Sequence, residues 1–440
     1  MAVDLTSFEG LAKRVHGALK NIVPDYDKYP FIGSHPINDD KRIGEEFSDT
    51  IQLTMPAGFT NSAGGLATME QVASGSTARA TAKGWDLILR EKIALDILHA
   101  AAKQGEQAFV KTFAYQLMLM KQATFHRLEL NAYNGGKALA IAATGAGGIV
   151  HTGGQTTATI VVNPGSWVPA AFMGSQPFVD FYDNNAGTFT KLNTNALVQV
   201  TSVTYTNNAT ISMTLSGNAT DLAAIDTSQG TRPVEVWFRN TRTNSALIEA
   251  RGLLGVSALA AGETYLGIGV NESPVFWSGS QFDANGAITL AKIEAAVMQM
   301  ANKGAHGKFI VSLSLPAYKD ISSEVRSAGG STSSNVRTDA NHSKQVMGSK
   351  VYEIITAAGP AEIHACRFHP LGKAVIYVDD SEHISRVGSA EASKDLPGVE
   401  GPAWERLENE TGVQIVSFSH SLVWVSKPAN VGEIFGITFS

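Results

Sequence analysis

A single cysteine, Cys366, among 440 residues excludes an internal disulfide and any thiolate metal site that needs several cysteines. Long apolar runs are missing as well. A membrane helix needs roughly 20 strongly apolar residues, and the nearest stretch, ALAIAATGAGGIV at 138–150, is too short and too rich in Gly and Ala. The start, MAVDLTSFEGL, has neither the basic patch nor the apolar run of a signal peptide. A soluble chain in a reducing, intracellular compartment is expected, with no membrane partner. Charge is scarce: Lys, Arg, Asp and Glu make up 17% of the residues, and 34 basic against 40 acidic ones give a net charge of −6. No basic cluster marks a specific nucleic-acid module.

Catalytic signatures are absent too. The sequence holds no HExxH, no GxSxG and no CxxC. GAGGIV (145–150) lacks the lysine of a phosphate loop and follows a helical stretch instead of a strand. Strand alternation puts His364 and Cys366 on one face, with His369 five residues beyond the first histidine. A core thiol beside a satisfied histidine explains them better than a catalytic pair. Asp379, Asp380, Glu382 and His383 could ligate a hard cation, but one short acidic cluster at a strand end ordinarily sits in water. No catalytic, cofactor-binding or metal residue is assigned, and no enzyme is expected.

What is present is organisation. The length suggests about two to four domains, and 44% hydrophobic residues suffice for folding. The 42 glycines follow no three-residue period and so mark turns. Residues 1–48 form a polar leader broken by Pro24, Pro30 and Pro36, which gains order by lying on the protein's own body or on a partner. IQLTMP (51–56) and TARATAKGWDLIL (77–89) alternate like strands around a Gly- and Ser-rich centre, with no obvious hydrophobic face before Trp85. A long hairpin reaching a neighbour, or an ordinary surface loop, would look like this. EKIALDI (91–97) reads as strand or helix. From Lys103 to Tyr133 a stripe of Phe109, Phe113, Leu117 and Met120 predicts one long helix, ended by Gly135-Gly136.

Composition then shifts. From Ala138 to Val179 there is no charged residue, and up to 230 only Asp180, Asp183, Lys191, Asp221 and Asp226. TATIVV, PFVDFY, ALVQVTSVTY, ATISMTL and PVEVWF predict a mostly-β module over 152–240. Its Thr/Asn/Ser skin suits a secreted-type β-domain or a surface facing neighbours. An α/β pattern follows: a helix over 290–303, the strand KFIVSLSL (308–315), a helix begun near Pro316, a polar loop (329–341), then VYEII, EIHACRF and KAVIYV. The Gly/Pro-marked link 388–402 leads to QIVSFSHSLVWVS (414–426) and a terminal strand. Arm, hairpin, long helix and bulky loops leave much of the chain outside one compact body. Copies of the same chain could cover such parts, which points to a self-assembling structural protein.

The order of these parts, with phrases such as NPGSWVPAAFMGS (163–175), KLNTNALVQVTSVTY (191–205), AEIHACRFHPLGKAVIYVDD (361–380) and SEHISRVGS (381–389), resembles the major capsid protein of tailed double-stranded DNA bacteriophages, the Hong Kong 97-like family. The resemblance implies an α+β fold with a long spine helix, an extended β-hairpin loop and an additional β-rich inserted domain. On that frame 1–48 is the N-terminal arm, 49–90 the extended loop, 91–151 a peripheral domain with the spine helix, and 152–240 the insertion. Residues 241–274 return through the peripheral domain, 275–390 form a central axial domain, and 391–440 rejoin the peripheral sheet.

It further implies pentamers and hexamers of this chain in an icosahedral shell around packaged DNA, touched without sequence preference, in a virion assembled in the host cytoplasm. Its partners would be a separate scaffolding protein, because the arm is short and without a coiled-coil prefix, a portal at one vertex and a decoration or cement protein. Candidate subunit-interface residues are Phe59, Leu66, Met69, Val72, Arg79 and Lys83. A family-type Lys–Asn crosslink is not expected, since Lys83 lies in the second arm and not at the tip. Another phage structural protein (tail-tube or decoration subunit) and a soluble hydrolase with a β-accessory domain are the alternatives.

Overall fold

The computed structural model describes residues 29–57, 59, 74–94, 106–144, 148–173, 176–185, 187–207, 210–228, 232–327, 336–337, 352–393, 404–406 and 412–439. The chain divides into two compact units, one of 1–40, 84–129 and 386–422, the other of 41–83, 130–385 and 423–440.

In the first unit a five-stranded sheet is centred on Gly412–Val425, which runs antiparallel to Trp85–Ala94 on one side. Ile384–Ser393 also joins this sheet and carries Ile37–Asn38 in parallel, with Ile37 opposite Arg386. Residues 91–94 are therefore strand. Gly84 precedes that strand, and a Cβ there would displace the His420 ring. The long helix spans Glu106–Asn134, as the stripe predicts, and contributes residues to both units. Met120 and Phe125 are buried; Phe109, Phe113 and Leu117 lie outside the described side chains.

The second unit holds two large sheets. The first has eight strands within 140–238 and begins at Ala140–Ile141, upstream of the expected boundary at 152, because that strand pairs with Val234–Phe238. Alternation does what the pattern requires: Ile211, Met213 and Leu215 face inward, and the outward rows are uncharged, Thr157 opposite Ser216 and Thr159 opposite Thr214. Three of the few charged residues act internally. Asp221 accepts the backbone N–H groups of Thr194 (3.1 Å), Asn195 (3.2 Å) and Ala196 (2.8 Å). Asp180 meets Lys191 at 2.9 Å and Asp183 meets Arg232 at 3.0 Å.

The second sheet has seven strands, in the order 280–286, 431–437, 374–378, 309–314, 359–366, 352–356, 336–337. Helices Leu290–Asn302 and Leu315–Ser327 pack on it through Ile293, Val297, Met300, Ala317 and Ile321. Thr289 caps the first by accepting Lys292 N–H at 3.3 Å, and Gly304, at φ +88°, ends it.

Two expected boundaries are corrected here. The terminal strand Val431–Ile437 does not rejoin the peripheral sheet. It lies inside the seven-stranded sheet, parallel to Ser280–Gly286 and antiparallel to Ala374–Val378. Its Val431, Ile434 and Ile437 are buried, and a strand with so little polar surface needs neighbours on both edges. Conversely, Ile384–Ser393, assigned mostly to the central domain, belongs to the five-stranded sheet.

The two large sheets of this unit are joined by backbone hydrogen bonds. Gly372 N–H donates to Gly165 at 2.9 Å, Leu371 N–H to Trp167 at 2.9 Å, and Ala170 N–H to Arg367 at 3.2 Å. A Cβ at Gly372 would stand 2.8 Å from the Gly165 Cα, so this approach requires glycine.

Candidate assembly interface

The segment expected to be a hairpin forms a three-stranded ribbon of Arg42–Ile43, Glu46–Gln52 and Thr77–Ala82. The expected second arm, 77–89, is not one strand. It breaks at Lys83-Gly84, and Trp85 onward enters the five-stranded sheet, so the hairpin of 49–90 shortens on that side and lengthens to Arg42 on the other. The expectation of no hydrophobic face is also corrected. Phe47 faces Ala82, Asp49 faces Ala80 and Ile51 faces Ala78. Phe47 and Ala80 are fully buried.

The root of the ribbon is firmly tied. Thr81 N–H donates to the Leu266 carbonyl at 2.8 Å, and Ser273 Oγ donates to the Leu53 carbonyl at 3.1 Å. Leu53 and Thr54 N–H both donate to the Ser76 carbonyl, and Ser76 N–H returns a bond to Thr54 Oγ1 at 2.8 Å. Lys41 pairs with Asp49 at 2.8 Å and lies 5.3 Å above the buried Trp424 ring. Burying Phe47 contributes roughly 1.5–3 kcal/mol, whereas an exposed ion pair adds ~0–1 kcal/mol. Packing at the root, not charge, holds the ribbon.

Beyond the root the apolar side chains are in water: Met55 is 74% and Phe59 87% exposed. Leu66, Met69 and Val72 lie outside the described residues. Arg79 is exposed opposite Thr50 and donates to Ser48 Oγ through Nε (3.3 Å) and Nη2 (3.2 Å). Lys83 stands 3.9 Å from Glu46 of the same ribbon. Thus Arg79 lies on the ribbon's strand Thr77–Ala82, Phe59 lies beyond its strands, and Lys83 already has an acidic neighbour within the chain. Sequence reading missed Met55 and Ile43, the latter 60% exposed at the ribbon edge. The visible signal was an apolar residue with no alternating partner: Met55 precedes Pro56, and Ile43 precedes Gly44, at φ +67°.

The acidic cluster is used locally. Asp379 lies 3.7 Å from Lys308, and Asp380 accepts Glu382 N–H at 2.9 Å. His369 is fully buried, and burial holds it near a pKa of about 4, hence neutral.

No protein-family model and no curated protein matches the sequence. Among solved structures, the Cyanophage A-1(L) capsid asymmetric unit aligns over 93% of this chain and 93% of its own, with a TM-score of 0.51 at 9% identity. The chain shares the α+β fold of that capsid subunit. The capsid of a native GTA particle (TM-score 0.42, 9% identity, 95% and 92% covered) and that of Myoviridae phage XM1 (0.41, 7%, 92% and 90%) are looser matches.

Proposed function

We propose that this chain is the major capsid protein of a tailed double-stranded DNA phage, assembling through pentamers and hexamers into an icosahedral shell around the genome. The observation that carries the reading is the end-to-end match to a phage capsid subunit, covering 93% of both chains. Within it, Glu106–Asn134 is the spine helix, the 42–82 ribbon is the base of the extended loop, and the sheet of 140–238 is the inserted domain. The seven-stranded sheet is the central domain. Exposed Met55 and Phe59 on a rooted ribbon are what a subunit that covers its neighbour requires, because apolar groups there gain only when a second copy removes them from water. A tail-tube subunit would lack both the long helix and the seven-stranded α/β sheet, so the helix and sheet favour the shell. Scaffolding, portal and decoration proteins, location in the virion and non-specific contact with DNA follow from this reading.

The chain should form closed shells or capsomer-sized oligomers when expressed at high concentration with its scaffolding protein, visible by negative-stain electron microscopy and sedimentation. Monomer alone, across wide protein and salt ranges with scaffold present, refutes the reading.

A further inference from the structure

Within the second unit a cleft of about 470 Å³ opens where the end of the long helix meets the eight-stranded sheet. Four cations line it: Lys137, Arg242, Arg251 and Lys373. Two are already paired. Arg251 Nη2 lies 2.9 Å from Glu263, and Lys373 Nζ lies 3.3 Å from the buried Glu433.

Two further carboxylates stand around the cleft, and Glu235 acts on Arg242 from beyond ion-pair distance. Glu235 accepts Asn184 Nδ2 at 2.7 Å on one oxygen and Trp237 Nε1 at 2.9 Å on the other. Glu249 accepts Gly136 N–H at 3.2 Å. Lys137 and Arg242 are left with no carboxylate within 4 Å and no hydrogen-bond acceptor for their side chains among the described residues. Arg242 is held flat, its guanidinium carbon 3.2 Å from the Phe189 ring centroid and 5.1 Å from that of Trp237. Its Nε is buried without a partner. Stacking fixes the plane of the fork and leaves its N–H groups to find an acceptor in the cleft. Burial, and then the nearby Lys373, pull the Lys137 ammonium below its ordinary pKa, against the opposing pull of Glu433 and Glu263.

A buried N–H without an acceptor, as at Arg242 Nε, is costly, and an oxyanion entering the cleft would supply acceptors to the guanidinium and to the Lys137 ammonium. We propose that this cleft is a binding site for a small multivalent oxyanion, held by Lys137 and Arg242. The volume suits a ligand of small-molecule size and is far too small for a DNA duplex. Phosphate and carboxylate oxyanions share this chemistry. The proposal does not depend on shell formation.

The test is isothermal titration calorimetry of the full chain with inorganic pyrophosphate and, separately, with citrate, against Lys137→Gln, Arg242→Gln, Arg242→Lys and the control Lys292→Gln, whose lysine donates only to the Ala287 carbonyl. Either anion should bind the unaltered chain at one site, and the preferred one identifies phosphate or carboxylate. Each Gln variant should bind roughly tenfold or more weakly, as expected for loss of a charge-assisted hydrogen bond. Arg242→Lys should also weaken binding, because the charge survives without the stacked fork, and Lys292→Gln should change nothing. Circular dichroism melts confirm that the variants fold. Absence of binding at millimolar concentration by both anions, or equal binding by the folded Gln variants, overturns the proposal.

Discussion

Glu129 is fully buried, and its two oxygens each accept a backbone N–H at 2.9 Å, from Phe31 and Ile32 at the start of the short helix Pro30–Ser34. Burial raises its pKa from 4.5 to about 7, against the lowering effect of those bonds and of Arg386. Between those values the folded chain holds a proton that the unfolded chain has released. Stability contributed by this group therefore falls as pH rises from about 4.5 to about 7 and is flat outside that window. Glu129→Gln cannot titrate, so the difference in urea midpoint between variant and parent should change across pH 5–8. A constant difference refutes the assignment. Glu362 does the opposite. The His364 hydrogen bond first, then Lys308, hold it near 2, so its stability is present above about 4.5 and lost as pH falls toward 2. Glu362→Gln should flatten the acid limb of the same measurement.

At the level of elements, the ribbon separates what folds the subunit from what the subunit offers. Phe47, Leu53 and Ala80 are buried at the root, while Met55 and Phe59 are exposed beyond it. Deleting Asn61–Ser74 and closing the ends with a short turn should leave thermal unfolding of unassembled chain within a few degrees, since the root packing stays. Shell yield by sedimentation should fall sharply. Full yield of equally robust shells would show the tip to be dispensable. The Gly372–Gly165 approach makes a second point about elements. Gly372→Ala forces backbone apart where two sheets share hydrogen bonds, and a loss of about 1–3 kcal/mol in denaturant unfolding is expected. Unchanged stability would mean that the junction adapts freely.

For the whole molecule, the charge-poor sheet within 140–238 is less separate than its composition suggests. Residues 152–240 omit Ala140–Ile141, the Leu139 N–H bond to Val236 and the Arg367–Gly372 partners. A fragment of 138–240 should accordingly melt higher and give better dispersed amide proton signals than 152–240. Equal melting of the two would show that the added strand contributes nothing.

Local pattern was sufficient for the long helix, whose apolar stripe and Gly135-Gly136 stop are visible in any window of the chain. It was sufficient also for the helix ended by Gly304 and for most strands of both large sheets, because burial periodicity and turn residues are properties of neighbours in sequence. Tertiary structure alone decided which sheet each strand joins. Nothing local in Val431–Ile437 or Ile384–Ser393 names its sheet, and only pairing partners distant in sequence send one to the seven-stranded sheet and the other to the five-stranded one. The His420 ring that lies against Gly84, and the residues that line the cleft of Lys137 and Arg242, come from elements separate in sequence. A strand's edges carry no side-chain signal of their own, since backbone N–H and C=O groups are the same at every residue and are assigned only when the chain has closed around them.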